Sequence, residues 1–401
     1  MKKFFQSGTF KKILIWRLYL FVPLCLGFLF LPFRENSLFT TIWQYTDKYP
    51  VVEHQLIYPW SNFDGVHYLA IASRGYINEG RFLPLFPILM RVLVTPFTLL
   101  WSLKAYGGLI FTSGLFLSNL FFILSLYFLQ KLLKLDYDKE TIKKFILLLL
   151  VFPTSFFFVS IYTESLFLLL SVLVLFFARK KQWGRAIIFS MLLSITRLPG
   201  ILIIIPLIYE YLTLELKLTL KNWKNIFLVK NTLKLLKFLL IPLPLLFYAL
   251  FNYFKWSDPL YFVNAHGALG NSREVSSIVF PLVTIYRYIK IFISVSVKQY
   301  EFWVALLEFV SLIIATLGVT FAYIKKVRPS YILYSIAIIS LPLLSGTLTG
   351  FPRYLLLAFP IFLGLTMQIS KNKLTWKLLL ISSFILQSIL LMLFARGWFI
   401  S

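Results

Sequence analysis

The sequence has little cysteine, little acid and little charge of any kind. Cys25 is the one cysteine in 401 residues. No disulfide can therefore form within the chain, and no thiolate cluster can hold a metal. Aspartate and glutamate number 15 against 40 lysines and arginines, and charged residues make up only 14% of the chain. No P-loop, GxSxG, HExxH or Rossmann glycine pattern occurs, so nothing points to a nucleotide, a serine hydrolase or a zinc protease. What fills the chain instead is apolar: 59% of residues, with 19% aromatic and a mean hydropathy of +0.83. A soluble protein of this length cannot hide that much apolar surface.

Charge-free runs at 18–33, 105–130, 145–163, 238–254 and 329–352 approach or exceed the ~20 residues that cross a bilayer as helix. The fold class predicted is all-α: a polytopic transmembrane helical bundle over 1–401, one integral membrane domain with roughly 9–11 membrane helices. Further spans are expected near 161–179, 302–324, 351–370 and 375–395. The first apolar segment lacks a small-residue cleavage site and reads as a retained anchor.

The net charge of +25 does not imply nucleic acid, because the basic residues lie between apolar spans and form no continuous face. They report topology instead. Segments 1–17, 131–144, 179–185, 212–237, 325–328 and 371–377 hold 26 basic groups, whereas the longer loops 33–81 and 255–301 hold nine. The excess places the N-terminus and the short basic loops in the cytoplasm. Residues 33–101 become a first outer loop with interfacial helices, since Pro84, Pro87, Arg91 and Pro96 make 82–101 a poor crossing. Residues 255–301 form a second outer loop. Segment 184–211 starts and ends on the basic side, so a short hairpin is expected there, broken at Thr196-Arg197-Leu198-Pro199-Gly200.

Few ionisable residues sit where charge is costly. Asp64 lies among aromatics in the first outer loop, just before a helical stretch, with His67 one turn later and Arg74 at its end. It is either a helix N-cap or a carboxylate base at the membrane surface. Glu164 lies at an outer turn, Arg197 at the hairpin apex and Arg353 at an outer boundary. Charges at such depth mark function by default, although a Glu164–Arg197 or Glu164–Arg353 pair that only locks helices is the plainer alternative. A carboxylate, arginines and an apolar groove suit a lipid-linked phosphate, whose oxygens match the planar guanidinium fork.

Six blocks carry a resemblance. Phe63-Asp64-Gly65-Val66-His67-Tyr68-Leu69-Ala70-Ile71-Ala72-Ser73-Arg74-Gly75-Tyr76 comes first, followed by Phe82-Leu83-Pro84-Leu85-Phe86-Pro87. Phe152-Pro153-Thr154-Ser155-Phe156-Phe157 with Tyr162-Thr163-Glu164-Ser165-Leu166-Phe167 comes third, and Thr196-Arg197-Leu198-Pro199-Gly200 fourth. Asp258-Pro259-Leu260-Tyr261-Phe262 and Pro352-Arg353-Tyr354 complete the series. In this order they resemble the GPI mannosyltransferase 2 family and its bacterial relatives, multi-pass glycosyltransferases of the GT-C class. Two departures are visible: Phe63 replaces the family's tryptophan, and the proline after Arg197 is displaced by one residue.

The resemblance implies a mannosyltransferase that moves a sugar, with inversion, from a polyprenyl-phosphate donor to a hydroxyl of a glycan or glycolipid on the outer face. Asp64 is then the catalytic candidate, and Arg353 and Arg197 the donor-phosphate ligands. Glu164, His67 and Arg74 orient these groups or touch the acceptor. No cofactor or nucleic-acid partner is expected; a metal is possible but unsupported, since the first loop offers scattered acids rather than a ligand cluster. The setting expected is a bacterial plasma membrane. A transporter or flippase of lipid-linked sugars is the alternative from another class, because a broken hairpin at membrane depth is also a transporter feature. A non-catalytic subunit that keeps the fold is a third.

Overall fold

In a computed structural model of the chain, residues 4, 6, 8–34, 39–41, 51–98, 106–217, 233–265 and 278–400 are described. Much of the basic loop 212–237 and the middle of the second outer loop lie outside the described residues. Among the described residues the regular structure is helical, without a strand. Among the described residues, four helices are long and apolar enough to cross a membrane: Gly8–Phe30, Gly107–Leu133, Tyr300–Ile324 and Lys373–Ala395. At 1.5 Å per residue they reach about 35–40 Å, enough for a hydrocarbon layer of about 30 Å.

Two further spans are bent. Leu233–Leu240 and Leu243–Trp256 meet at 44°, where Pro242 and Pro244 interrupt the helical hydrogen bonding, and Phe351–Leu357 and Pro360–Ile369 meet at 86°. Up to six spans result, and the chain is a polytopic helical bundle. The larger number of membrane helices expected is approached only by adding shorter apolar helices, Leu85–Phe97, Trp183–Ser194, Leu198–Leu214 and Pro329–Leu344.

The helix Glu164–Arg179 is the centre of the bundle. Its residues are apolar all round, and every one from Glu164 to Leu175 is buried. A helix of that composition is stable only when surrounded. It packs on Tyr106–Leu133 and Trp183–Ser194, while its first residues also touch Phe351–Leu357. Hydroxyls buried in such helices return their hydrogen bonds to the preceding turn, as Ser171 does to the Phe167 carbonyl at 2.8 Å.

Each end of this helix carries ion pairs. At Arg179, the guanidinium forks onto Asp136 at 2.5 and 2.9 Å and reaches the Tyr331 hydroxyl at 3.2 Å. Nearby on the bundle, Arg328 forks onto buried Glu210 at 2.5 and 2.6 Å, and Ser330 donates to the same carboxylate. Asp136 and Arg179 belong to two separate basic segments, which their pair joins, whereas Arg328, from a third, pairs with Glu210 on a helical arm. The second cluster, at Glu164, lies one helix length away, about 24 Å.

Residues 183–215 form the broken hairpin. Trp183–Ser194 and Ile204–Leu214 are its helical arms, joined through a 3-10 turn at Leu198–Ile203. The chain returns to its starting level, because Trp183 Nε1 donates to Glu215 Oε2 at 3.2 Å and stacks edge-on against Tyr211. Arg197, extended at φ −152° and ψ 150°, is the residue at the break.

Candidate active site

The segment 60–63 is pinned to the turn between the central helix and its predecessor. Ile161 N donates to the Trp60 carbonyl at 2.8 Å, and the Tyr162 hydroxyl donates to the Asn62 carbonyl at 2.7 Å. Asn62 in turn donates to the Phe394 carbonyl at 3.0 Å, and Thr154 donates to the Pro352 carbonyl at 3.0 Å. Four distant segments thus converge on one point. Phe63 has φ +61°, a left-handed value unusual for a bulky residue, held between the rings of Phe394 and Phe399. It turns the chain into the helix Asp64–Arg74.

Asp64 is the first residue of that helix, and no side chain caps it. Its carboxylate reaches across the bundle to Arg353 Nη1 at 2.8 Å. Arg353 Nε donates to Glu164 Oε1 at 2.8 Å, and Arg197 Nη1 is paired with that same oxygen. Two carboxylates and two arginines therefore form one chain of contacts. Glu164 is 0% exposed and Arg353 7%, whereas Asp64 at 29% and Arg197 at 15% are partly exposed. Arg353 also lies over the rings of Tyr162 and Phe157, at 4.7 and 5.1 Å. Among the described residues neither Glu164 Oε2 nor Arg353 Nη2 has a hydrogen-bond partner. Such atoms, buried and unpaired, are costly unless a ligand uses them.

Burial by itself would raise the pKa of Asp64. Arg353, Arg81 and Arg197 outweigh it and hold the carboxyl below the usual carboxylate range. His67 stacks on Phe82 at 4.8 Å and lies 5.4 Å from Phe39. Burial first, then Arg81, lowers its pKa, against the pull of Asp64 and Glu79. Arg81 Nη2 lies 3.3 Å from His67 Nε2. A guanidinium only donates, so Nε2 accepts, and the neutral ring carries its proton on Nδ1.

The expected residues separate into two groups. Asp64, Glu164, Arg197 and Arg353 come together, and His67 lies one helical turn from Asp64 on the same helix. Arg74 does not join them: it is 59% exposed and clasps Glu79 at 3.0 Å. Sequence reading missed Arg81, whose only signal was its place just before the Phe82-Leu83-Pro84 block. Among the described residues, no three of His, Cys, Asp or Glu converge as metal ligands would.

An apolar cavity of about 320 Å³ continues along the Asp64 helix. Ile71, two turns or about 10 Å from Asp64, lines it together with Tyr76, Pro84, Pro87, Ile88 and Phe251. Among the described residues, Arg91 is its one charged lining residue.

No curated protein and no solved structure matches the chain. The family model described as Mannosyltransferase (PIG-V) matches residues 33–302, two thirds of the length, including Asp64, Glu164 and Arg197 but ending before Arg353. With the helical bundle and its buried charge cluster, this match shows that the chain is a membrane protein belonging to the Mannosyltransferase (PIG-V) family.

Proposed function

We propose that this membrane mannosyltransferase takes mannose from a polyprenyl-phosphate donor and passes it, with inversion, to a hydroxyl of a glycan or glycolipid on the outer face of the plasma membrane. One observation carries the reading. Asp64, partly exposed and salt-bridged to Arg353, opens a helix whose Ile71, about 10 Å further along, lines an apolar cavity. A donor of this class has an anionic phosphate between a sugar and a long apolar chain. The carboxylate site, the arginines and the cavity match the three parts in that order.

In the reaction, the acceptor oxygen attacks the anomeric carbon from the face opposite the phosphate. The bond from that carbon to the phosphate oxygen breaks, and its electron pair leaves with polyprenyl phosphate. Asp64 accepts a hydrogen bond from the attacking hydroxyl and receives its proton as the new bond forms. A carboxylate of low pKa suffices, because the attacking oxygen turns strongly acidic once it shares electrons with carbon. Placement of this kind is typically worth about 10²–10⁴-fold in rate. Arg353 and Arg197 border the phosphate, where charge develops as it leaves. Glu164 orients both arginines, and His67 lies beside the acceptor path.

Purified protein given labelled polyprenyl-phosphate mannose and hydroxyl acceptors tests this. Free polyprenyl phosphate should be released together with a mannosylated product. A flippase would leave the donor chemically intact, and that result would end the transferase reading.

A further inference from the structure

Arg17 carries a charge deep in the bundle. It lies about 14 Å along the span Gly8–Phe30. Its Nε donates to Asn119 Oδ1 at 3.0 Å, and Asn119 stands midway along the span Gly107–Leu133. The guanidinium carbon lies 4.1 Å from the centre of the Trp60 ring and 5.1 Å from that of Phe21. Among the described residues no carboxylate pairs with Arg17, and its Nη1 is buried without a hydrogen-bond partner. A charge held at such depth is costly. One amide oxygen and two ring faces offset that cost only in part, so stability does not account for the arginine.

The residue beneath which it sits gives the reason. Trp60 is 1% exposed and belongs to the 3-10 turn Tyr58–Ser61, just before Asp64. Its indole N–H donates to the Leu56 carbonyl at 3.1 Å, and its own carbonyl accepts from Ile161 N at 2.8 Å. Phe63 follows with its left-handed φ of +61°. A bulky residue keeps such a backbone only where the surroundings fix both flanks. On the far flank, Gly65 is packed so closely that a Cβ would come within 3.1 Å of Ser61 and 3.2 Å of the Ile161 carbonyl oxygen. The near flank is Trp60, and its ring is held from below by Arg17. The guanidinium thus ties two membrane spans to the turn that sets the direction of the Asp64 carboxylate.

Resting on the reading of Asp64 as the base, we infer that Arg17 is a positioning residue for transfer. Its contact with the Trp60 ring holds the strained turn at Phe63, and through that turn it aims Asp64. Arg17 touches neither donor nor acceptor.

The test uses the full chain in phosphatidylcholine nanodiscs, with transfer read from polyprenyl-phosphate mannose. Arg17→Met should lower kcat about 10- to 100-fold, as expected for a catalytic group displaced by about 1 Å, and leave the donor KM unchanged. Its melting temperature should hold or rise, because a charge has been removed from the membrane. Amide exchange across 58–64 should quicken about 10-fold or more, a readout that does not depend on the identity of the donor. Arg17→Lys should recover part of kcat, since an ammonium keeps a cation over the ring without the planar stack. Trp60→Leu should resemble Arg17→Met, and the double variant should be no worse than Trp60→Leu alone. Wild-type kcat in Arg17→Met, unchanged exchange across 58–64, or a fall in kcat matched by a fall in melting temperature would overturn the assignment and leave the Asp64 reading standing. Near-normal turnover of Asp64→Asn in the same assay would instead remove that reading, and the role of Arg17 with it.

Discussion

At the scale of single residues, the site is governed by how few charges share one buried space. Glu164 has no exposure and holds two arginines. Removing one member of such a set leaves the others uncompensated, at a cost of about 3–5 kcal/mol. Glu164→Ala should therefore lower the melting temperature clearly, read by thermal unfolding in detergent. Asp64→Asn should behave otherwise. The amide oxygen still accepts from Arg353, so folding is kept, while transfer falls by about 10²-fold or more; near-normal turnover in this variant would remove Asp64 from the mechanism.

The pH dependence follows from the same contacts. Asp64 has a depressed pKa in the folded state. Its ionised form stabilises the fold above the unfolded value of about 4, and that contribution disappears as pH falls through the lower folded value. The rate–pH profile should thus show no acid limb from Asp64 above about pH 5. In Arg353→Gln burial is less opposed, so a limb should move upward. His67 has linkage of the same sign at higher pH: its neutral form is favoured on folding, and stability should decline as pH falls below about 6.5.

Legibility at this scale was uneven. Asp64, Glu164, Arg197 and Arg353 are visible in sequence because charge among apolar residues is rare and expensive. Arg81 is not, because its loop carries other charges and polar residues, and nothing local separates a guanidinium aimed inward from one clasped at the surface, as Arg74 is.

At the scale of elements, the breaks matter more than the helices. Arg197 reaches Glu164 because the hairpin opens there. Gly200 N donates to the Arg197 carbonyl at 2.8 Å, and a Cβ on Gly200 would come within 2.1 Å of the Leu193 carbonyl oxygen. Gly200→Ala should push the 3-10 turn off the end of the first arm and displace Arg197. The expected result is a folded protein with impaired transfer, measured by activity against melting temperature; wild-type activity would show that the break tolerates movement. The hairpin was legible because two basic stretches flank 28 residues holding a Pro-Gly pair. The 86° bend after Arg353 was not, since hydropathy stays high through Pro360, the residue that opens the second helix.

At the scale of the molecule, two charged clusters sit at opposite ends of the central helix. Arg328 and Glu210 belong to the end far from Asp64. Glu210→Ala should cost about 3–5 kcal/mol of stability and leave donor affinity unchanged. A shift in donor affinity would reveal coupling between the ends. The proposed sidedness is open to labelling. In a Cys25→Ser background, a cysteine at Ser73 should react with an impermeant maleimide added to intact cells, and one at Lys181 should not.

Much of this protein is determined by the sequence alone. Hydropathy and charge are properties of neighbouring residues, so membrane class and the costly ionisable groups can be read along the chain. Pairing is different. Arg353 and Glu164 are 189 residues apart, and Arg197 and Glu164 are 33 apart, yet they share one carboxylate oxygen. Coulomb energy depends on distance in space and on local dielectric, neither of which is written in residue order. Only the packed helices decide that Asp64 faces Arg353 rather than capping its own helix, and that Arg81 stands beside it.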